Sequence, residues 1–330
     1  MDTEARAVAE RFDRFAREEA PGRSEVYAAW ARLVADDPEL QAVFARIPAR
    51  HRQPPLVFAV TRLLGLGSDD DGAAQDAAHW RDGVLARADT VVAECAQRSL
   101  QTNEPQRCAA LLPALSRISG PIALLEIGAS AGLCLYPDRY SYRYRAPGGV
   151  VALDPPDGVS EVVLECAVRG DRMPEVALPE IVWRAGIDLA PLDPRSRDTD
   201  AWLTGLVWPG EEGREERVRA ALGIAASDPP LLVAGDGADL LADLAAQAPA
   251  GATLVVQTQG VLAHIPWAGR HALIDAARRA GRWITLDAPT LHEGWFTPVD
   301  VDGWPGGFAL GLDGEVLAAA DPLGAWIAVR

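Results

Sequence analysis

The sequence predicts an α/β fold in which a helical N-terminal region precedes a mostly parallel sheet that ends in an antiparallel strand pair. Three observations predict it. Up to about residue 118 the apolar residues recur at helical spacing, and no convincing strand appears before Ile122. From Ile122 onward short apolar runs alternate with helical stretches, as in parallel βαβ units. The chain closes on two apolar runs with a turn between them and no helix signal, so that pair closes antiparallel.

In the first region Val8, Phe12 and Phe15 share one helical face. Ser24 is placed to cap a segment carrying Val26, Trp30, Leu33 and Val34 at helical spacing. Asp37-Pro38-Glu39 reads as a helix start: a capping side chain, a proline in the first turn, and an acid near the positive dipole end. Residues 56–64 and 76–100 continue the pattern. The character changes at Ser119-Gly120-Pro121, which divides the chain into a helical subdomain over 1–118, on the lid or substrate side, and an α/β domain over 119–330. Strands are expected at 122–127, 181–187, 231–234, 253–257 and 283–286, with helices at about 211–222, 237–247 and 268–280. The closing pair is 308–312 and 325–329, around a turn at Asp313-Gly314. One stretch, about 140–179, interrupts the scheme. Tyr140, Tyr142 and Tyr144 alternate with polar residues, and 159–168 alternates in mixed fashion, which predicts an inserted antiparallel ribbon able to cover a pocket.

With 330 residues, 49% of them hydrophobic, the chain can bury a sizeable core. Its longest apolar runs stop well short of the roughly 20 residues of a membrane span. The N-terminus mixes acids with arginine and does not read as a secretory leader, so a cytoplasmic protein is expected. Cys95, Cys108, Cys134 and Cys166 are scattered without a C-x-x-C pair, and His51, His79, His271 and His292 lie far apart, so no metal site is predicted. A net charge of −16 repels polyanions and anionic membranes and favours a small-molecule substrate; a homodimer is compatible with it. All 31 basic residues are arginine. That removes lysine Schiff-base chemistry, pyridoxal-phosphate enzymes included, and the P-loop lysine.

The chemistry centres on Glu126-Ile127-Gly128-Ala129-Ser130-Ala131-Gly132, a buried strand running into a turn of small residues, after which a helix is expected. Small residues let a backbone approach a ligand, and a helix N-terminus offers amides to an anion. Three readings compete. A dinucleotide fingerprint needs G-x-G-x-x-G, but Ser130 stands where the second glycine belongs. The G-x-S-x-G of a hydrolase elbow fits, with Ser130 as nucleophile and Asp236 and His264 or His292 following, yet such an elbow comes after several strands. The third reading is a class I S-adenosylmethionine-dependent methyltransferase-like Rossmann fold. There Asp188 ends the second strand, where it can accept ribose hydroxyls, and Asp236-Gly237 ends the third, near the adenine amino group. That reading takes S-adenosyl-L-methionine or S-adenosyl-L-homocysteine as cofactor, held by Glu126, Gly128, Ser130, Gly132, Asp188, Asp236, Gly237 and Gln257. The fourth strand exits into a loop carrying His264, the first candidate for a general base, with Tyr140 as the second catalytic candidate. Asn103, Cys134, Arg139 and Tyr142 are the substrate candidates. Asp154-Pro155-Pro156-Asp157 lacks the aromatic of amino-group methyltransferases and reads as a turn.

Longer motifs carry a resemblance. Gln101-Thr102-Asn103-Glu104, the turn continuing into Asp138-Arg139-Tyr140, the stretch 184–193, and 202–216 with its Trp208-Pro209-Gly210 resemble the bacterial, mostly actinobacterial, family catalogued as domain of unknown function 2332. The resemblance covers most of the chain and implies a methyltransferase-like Rossmann fold. Where that family usually has Gly-Leu-Asn-Leu, this chain has Gly132-Leu133-Cys134-Leu135, a thiol in place of an amide. The expectation is therefore a small-molecule methyltransferase. The alternatives are a serine hydrolase at Ser130, or a methyltransferase-like protein that runs another reaction or only binds a metabolite.

Overall fold

The computed structural model describes residues 3–66, 77–291, 295–296 and 299–330. The first helices are α1 (Thr3–Glu18), α2 (Glu25–Asp36), α3 (Pro38–Ala45), α4 (Pro54–Leu63), α5 (Ala77–Ala86), α6 (Ala88–Gln97) and α7 (Arg107–Leu115). Strands β1 (Pro121–Ile127), β2 (Ser141–Ala146), β3 (Gly149–Leu153), β4 (Val163–Val168) and β5 (Glu180–Asp188) follow. Then come α8 (Arg197–Gly205), α9 (Arg214–Ser227), β6 (Leu231–Ala234), α10 (Gly237–Ala245), β7 (Thr253–Gln259) and α11 (Trp267–Ala280). Strands β8 (Arg282–Asp287), β9 (Phe308–Leu312), β10 (Glu315–Ala320) and β11 (Trp326–Val329) close the chain. Two compact units result: Met1–Thr102 with Arg197–Glu216, and Asn103–Ser196 with Arg217–Arg330. The boundary thus falls at 102 and not at 118, because α7 packs on the sheet, against β4, β8 and β9. His292 and residue 76 lie outside the described residues.

The helical unit follows its sequence closely. Val8, Phe12 and Phe15 are buried on one face of α1. The Ser24 hydroxyl accepts the Tyr27 amide at the head of α2, and Asp37 accepts the Glu39 and Leu40 amides at the head of α3, with Pro38 in its first turn. Each cap satisfies amides that a helix start leaves unpaired. The core is aromatic: Phe12, Phe15, Tyr27, Trp30, Phe44, Phe58 and Trp80 are fully buried, and Trp30 stacks on Trp80 at 4.8 Å. Trp208, from the returning segment, packs on Phe15 and Tyr27.

The second unit is one sheet of eleven strands in the order β3-β2-β4-β11-β10-β9-β8-β7-β1-β5-β6. The five strands β6-β5-β1-β7-β8 are mutually parallel. Numbered among themselves they run 3-2-1-4-5, the order of a doubly wound fold, and that order reverses between β1 and β7. One face of this parallel core packs Leu125, Ile127, Ile187, Val256 and Trp283 against Leu241 and Leu244 of α10 and Leu273 and Ile274 of α11. Burial of that apolar surface is the main favourable term for the unit.

Three expectations are corrected. The partner of β9 is β10, joined by the two-residue turn Asp313-Gly314 with both φ positive, and β11 pairs antiparallel with β10. The alanine run at 318–320 gives β10 little alternation to read. Second, the stretch after residue 140 does not form a separate cover. β2 and β3 make an antiparallel hairpin, but β4 runs parallel to β2 and joins β11, so the insertion lengthens the sheet and pairs what would be a bare edge. Third, no α-helix follows the small-residue turn. Gly132 takes a left-handed conformation and a single 3₁₀ turn over Leu133–Leu135 ends before Pro137, which disfavours helical geometry in the residue ahead of it. Among the described residues no helix is long and apolar enough to cross a membrane.

Candidate functional site

In an open parallel sheet a ligand sits at the carboxyl ends of the strands, where the strand order reverses. Here that point lies between β1 and β7, and Glu126 of β1 is in register with Gln257 of β7. Because side chains alternate along a strand, Glu126, Gln257 and Gln259 share the face opposite the α10–α11 core. All three are buried. Gln259 donates from Nε2 to Glu126 Oε1, and Gln257 donates from Nε2 to the Cys134 carbonyl at 3.1 Å. The Gln257 donation fixes which of its amide atoms is oxygen, since a flip would set that oxygen against the Cys134 carbonyl. Glu126 Oε2, Gln257 Oε1 and Gln259 Oε1 are buried with no hydrogen-bond partner.

Burial pushes the Glu126 carboxyl up to about 8, against the opposing pull of the Gln259 amide and the Arg107 guanidinium. Asp287, the last residue of β8, is likewise fully buried, and burial pushes it up to about 7. Neither of its oxygens completes a well-formed hydrogen bond, although the amides of Leu262, Gly260 and Val261 and the charge of Arg107 lie near enough to favour its ionised form. Arg107 stands at the head of α7 and donates to the carbonyls of Pro322 at 2.9 Å and Gln259 at 3.3 Å.

The small-residue turn is held by its neighbours. Asn103 Nδ2 donates to the Ala129 carbonyl at 2.7 Å, and its Oδ1 accepts the Leu133 amide at 3.1 Å. The Asp188 carboxylate accepts the Ser130 amide through one oxygen and the Ala190 amide through the other, both at 2.8 Å. Glu104, fully buried, pairs with Arg217 at 3.1 Å, and its carbonyl accepts the Cys134 thiol at 3.3 Å. Arg184 donates to the Leu135 carbonyl and to Asp138. Gly186 of β5 is the point of closest approach: a Cβ there would overlap that of Ala129. At Gly128 and Gly132, where φ is +77 and +76, an added Cβ would meet Val261 at 3.1 Å and Pro230 at 2.9 Å. Ser130 holds φ +52, which is uncommon outside glycine.

The other candidates scatter. Asp236 is exposed and caps α10 through the Ala238 amide, and an added Cβ on Gly237 would meet Ile127 at 2.7 Å. His264 is exposed in a 3₁₀ turn after β7. Tyr140 and Tyr142 are fully buried with their hydroxyls donated at 2.6 Å to the carbonyls of Leu133 and Pro137, and burial raises both hydroxyls well above the usual tyrosine value. Arg139 is exposed near Asp138 and Asp228. Cys134 is buried, with its carbonyl serving Gln257. The structure therefore gathers Glu126, Gln257, Asn103, Cys134, Ser130 and Asp188 around the turn. It adds Gln259, Arg107, Glu104 and Arg217, which sequence reasoning did not place in the site, while Asp287, in phase with Trp283 and Thr285 along β8, stands on the α10–α11 face of the sheet. A signal existed for one of these: Gln259 follows Gln257 at the strand's period of two, so the two amides share a face at the end of β7. A cavity of about 120 Å³ lined by Pro113, Arg117, Met173 and Leu317 lies away from these residues, beside the far end of α7. Among the described residues no group of three or more His, Cys, Asp or Glu could hold a metal ion.

No curated protein matches the chain. The family model described as "uncharacterized protein conserved in bacteria", domain of unknown function 2332, matches residues 9–328, and the chain belongs to that family.

Proposed function

We propose that the chain is a small-molecule methyltransferase that uses S-adenosylmethionine at the switch point between β1 and β7. The observation that carries the reading is the set of buried acceptors without partners, Glu126 Oε2, Gln257 Oε1 and Gln259 Oε1, at the carboxyl ends of strands ordered 3-2-1-4-5. Buried polar groups left unpaired in a crevice of this kind call for a ligand. The cofactor when bound supplies an activated methyl group. This chain's residues would hold it on the β1–β5–β6 side: Asp188 and Asp236 each keep acceptor capacity beyond the amides they already serve. His264, on the loop after β7, is the candidate to take the acceptor's proton. The reading carries with it a small-molecule substrate, no nucleic-acid partner at a net charge of −16, and a cytoplasmic setting. Calorimetric titration with S-adenosylmethionine and S-adenosylhomocysteine tests it: saturable binding of at least one is expected, and no binding of either at millimolar concentration would overturn it.

The strained Ser130 backbone favours a second reading, a serine hydrolase, because such strain collects at functional sites. Labelling by a fluorophosphonate probe that is lost in Ser130→Ala would select it over the first.

A further inference from the structure

Glu126 and Gln257 are in register on β1 and β7, and Gln259 follows Gln257 at the strand period, so the three side chains meet on the face opposite α10 and α11. All three are buried. Glu126 has the Gln259 amide on one oxygen and no partner on the other. A carboxyl taken out of water with no arginine on either oxygen keeps its proton at neutral pH, and burial holds this one at about 8. Of the charged groups that act on it, Arg107 favours the ionised form and Asp188 the neutral one, and burial outweighs Arg107.

At pH 7 the set is therefore neutral, and it is mixed in hydrogen-bonding character. Gln257 spends a donor on the Cys134 carbonyl and leaves its oxygen as an acceptor. With the Gln259 nitrogen turned to Glu126, the Glu126 proton lies on Oε2 as the spare donor and Gln259 Oε1 is a second acceptor. With that amide turned over, Glu126 donates to the Gln259 oxygen, the Gln259 nitrogen is the spare donor, and Glu126 Oε2 is the second acceptor. Both arrangements leave at least one donor beside two acceptors, with no net charge.

We infer that the face of the crevice formed by Glu126, Gln257 and Gln259 takes a small neutral molecule through an amide-type group, a carboxamide, lactam or urea, as the substrate that partners the cofactor. Such a group carries a carbonyl acceptor beside N–H donors, so it answers both kinds of spare atom at once. A carboxylate lacks the donors, an ammonium lacks the acceptor, and either brings a charge into a buried site whose three side chains are neutral. The assignment to substrate rests on the cofactor reading, with S-adenosylmethionine on the β1–β5–β6 side.

Calorimetry and thermal shift on the full chain, with and without S-adenosylhomocysteine, compare propionamide with propionate and propylamine, and benzamide with benzoate and benzylamine. In the wild type at pH 7 an amide is expected to bind roughly ten-fold or more tighter than both of its charged counterparts. That preference should persist in Glu126→Gln, whose amide supplies a donor and an acceptor in the same place, and fall about ten-fold in Glu126→Leu, with the folding of both checked by circular dichroism. From pH 7 to 9.5 the carboxyl ionises and its proton is lost to the site, so amide affinity should fall about ten-fold in the wild type and stay level in Glu126→Gln. That comparison decides the matter even where Glu126→Leu does not fold. Amides binding no tighter than their charged counterparts, or no binding of any probe, would overturn the amide site. So would an undiminished preference in folded Glu126→Leu, or the same pH dependence in wild type and Glu126→Gln. An amide preference in a protein that does not bind S-adenosylhomocysteine would keep the amide site and overturn the cofactor reading. Binding of S-adenosylhomocysteine without any amide preference would do the reverse.

Discussion

Asn103 donates to the carbonyl of Ala129 at 2.7 Å while its own oxygen accepts the amide of Leu133, so one side chain spans the small-residue turn Gly128–Gly132 from its second residue to the first residue beyond it. Both bonds are buried, and they replace what an α-helix would otherwise give those groups. Removing them in Asn103→Ala leaves a buried donor and a buried acceptor unpaired. A loss of about 2 kcal/mol is expected, seen as a lower urea midpoint with unchanged slope. Asn103→Asp should also cost stability, since it keeps the acceptor but removes the donor.

Glu126 makes stability depend on pH. Its folded value of about 8 lies above its ordinary 4.5, so the unfolded chain ionises first. The stability associated with the protonated carboxyl is fully present below 4.5 and drains away as pH rises toward 8. Glu126→Gln cannot ionise. In ligand-free protein the stability of the variant relative to wild type should rise across that window, by on the order of a few kcal/mol, and stay level above it. Denaturation series at pH 5, 6.5 and 8 measure this, and a constant difference would contradict the assignment.

At Gly186 an added methyl would overlap the Cβ of Ala129 and also approach Leu232. Both neighbours are held, Ala129 by Asn103 and Leu232 within β6. Gly186→Ala should cost about 1–3 kcal/mol by overpacking. Because the shift displaces the turn, it should also weaken any ligand that the turn binds. A binding isotherm measured alongside the unfolding curve checks both effects.

In the helical unit, the caps at Ser24 and Asp37 are separable from the site. Asp37 accepts the amides of Glu39 and Leu40 and also pairs with Arg81. Asp37→Ala should cost about 1–2 kcal/mol, and Ser24→Ala, whose single capping bond is longer at 3.3 Å, about half as much. Neither should change the affinity for S-adenosylhomocysteine, which titration of the folded variants would show.

The sequence by itself determined the features that arise within about one helical turn or one strand. Ser24 and Asp37 cap the helices they were expected to cap, Phe12 and Phe15 face inward, and the five parallel strands lie where apolar runs were bounded by turns. Capping, helical spacing and strand patterning are local, so a few neighbouring residues carry the signal. The glutamate, glycine and serine of the turn were legible for the same reason.

Only the tertiary structure decided which polar residues meet. Arg107 and Asp287 lie 180 positions apart in sequence, and nothing in either neighbourhood announces that the Arg107 charge reaches both Asp287 and Glu126. Asp188 looked like a ligand group and is also the acceptor that fixes Ser130, a role invisible until β5 is placed beside β1. The pairing of β4 with β11, which joins the inserted strands to the closing ones, is likewise a long-range contact. Alternation marks a strand but does not name its partner, because strand pairing is made through backbone groups that every residue carries. The burial that holds the Glu126 carboxyl near 8 comes from the same source: it exists only once the sheet and its covering segments have closed around it.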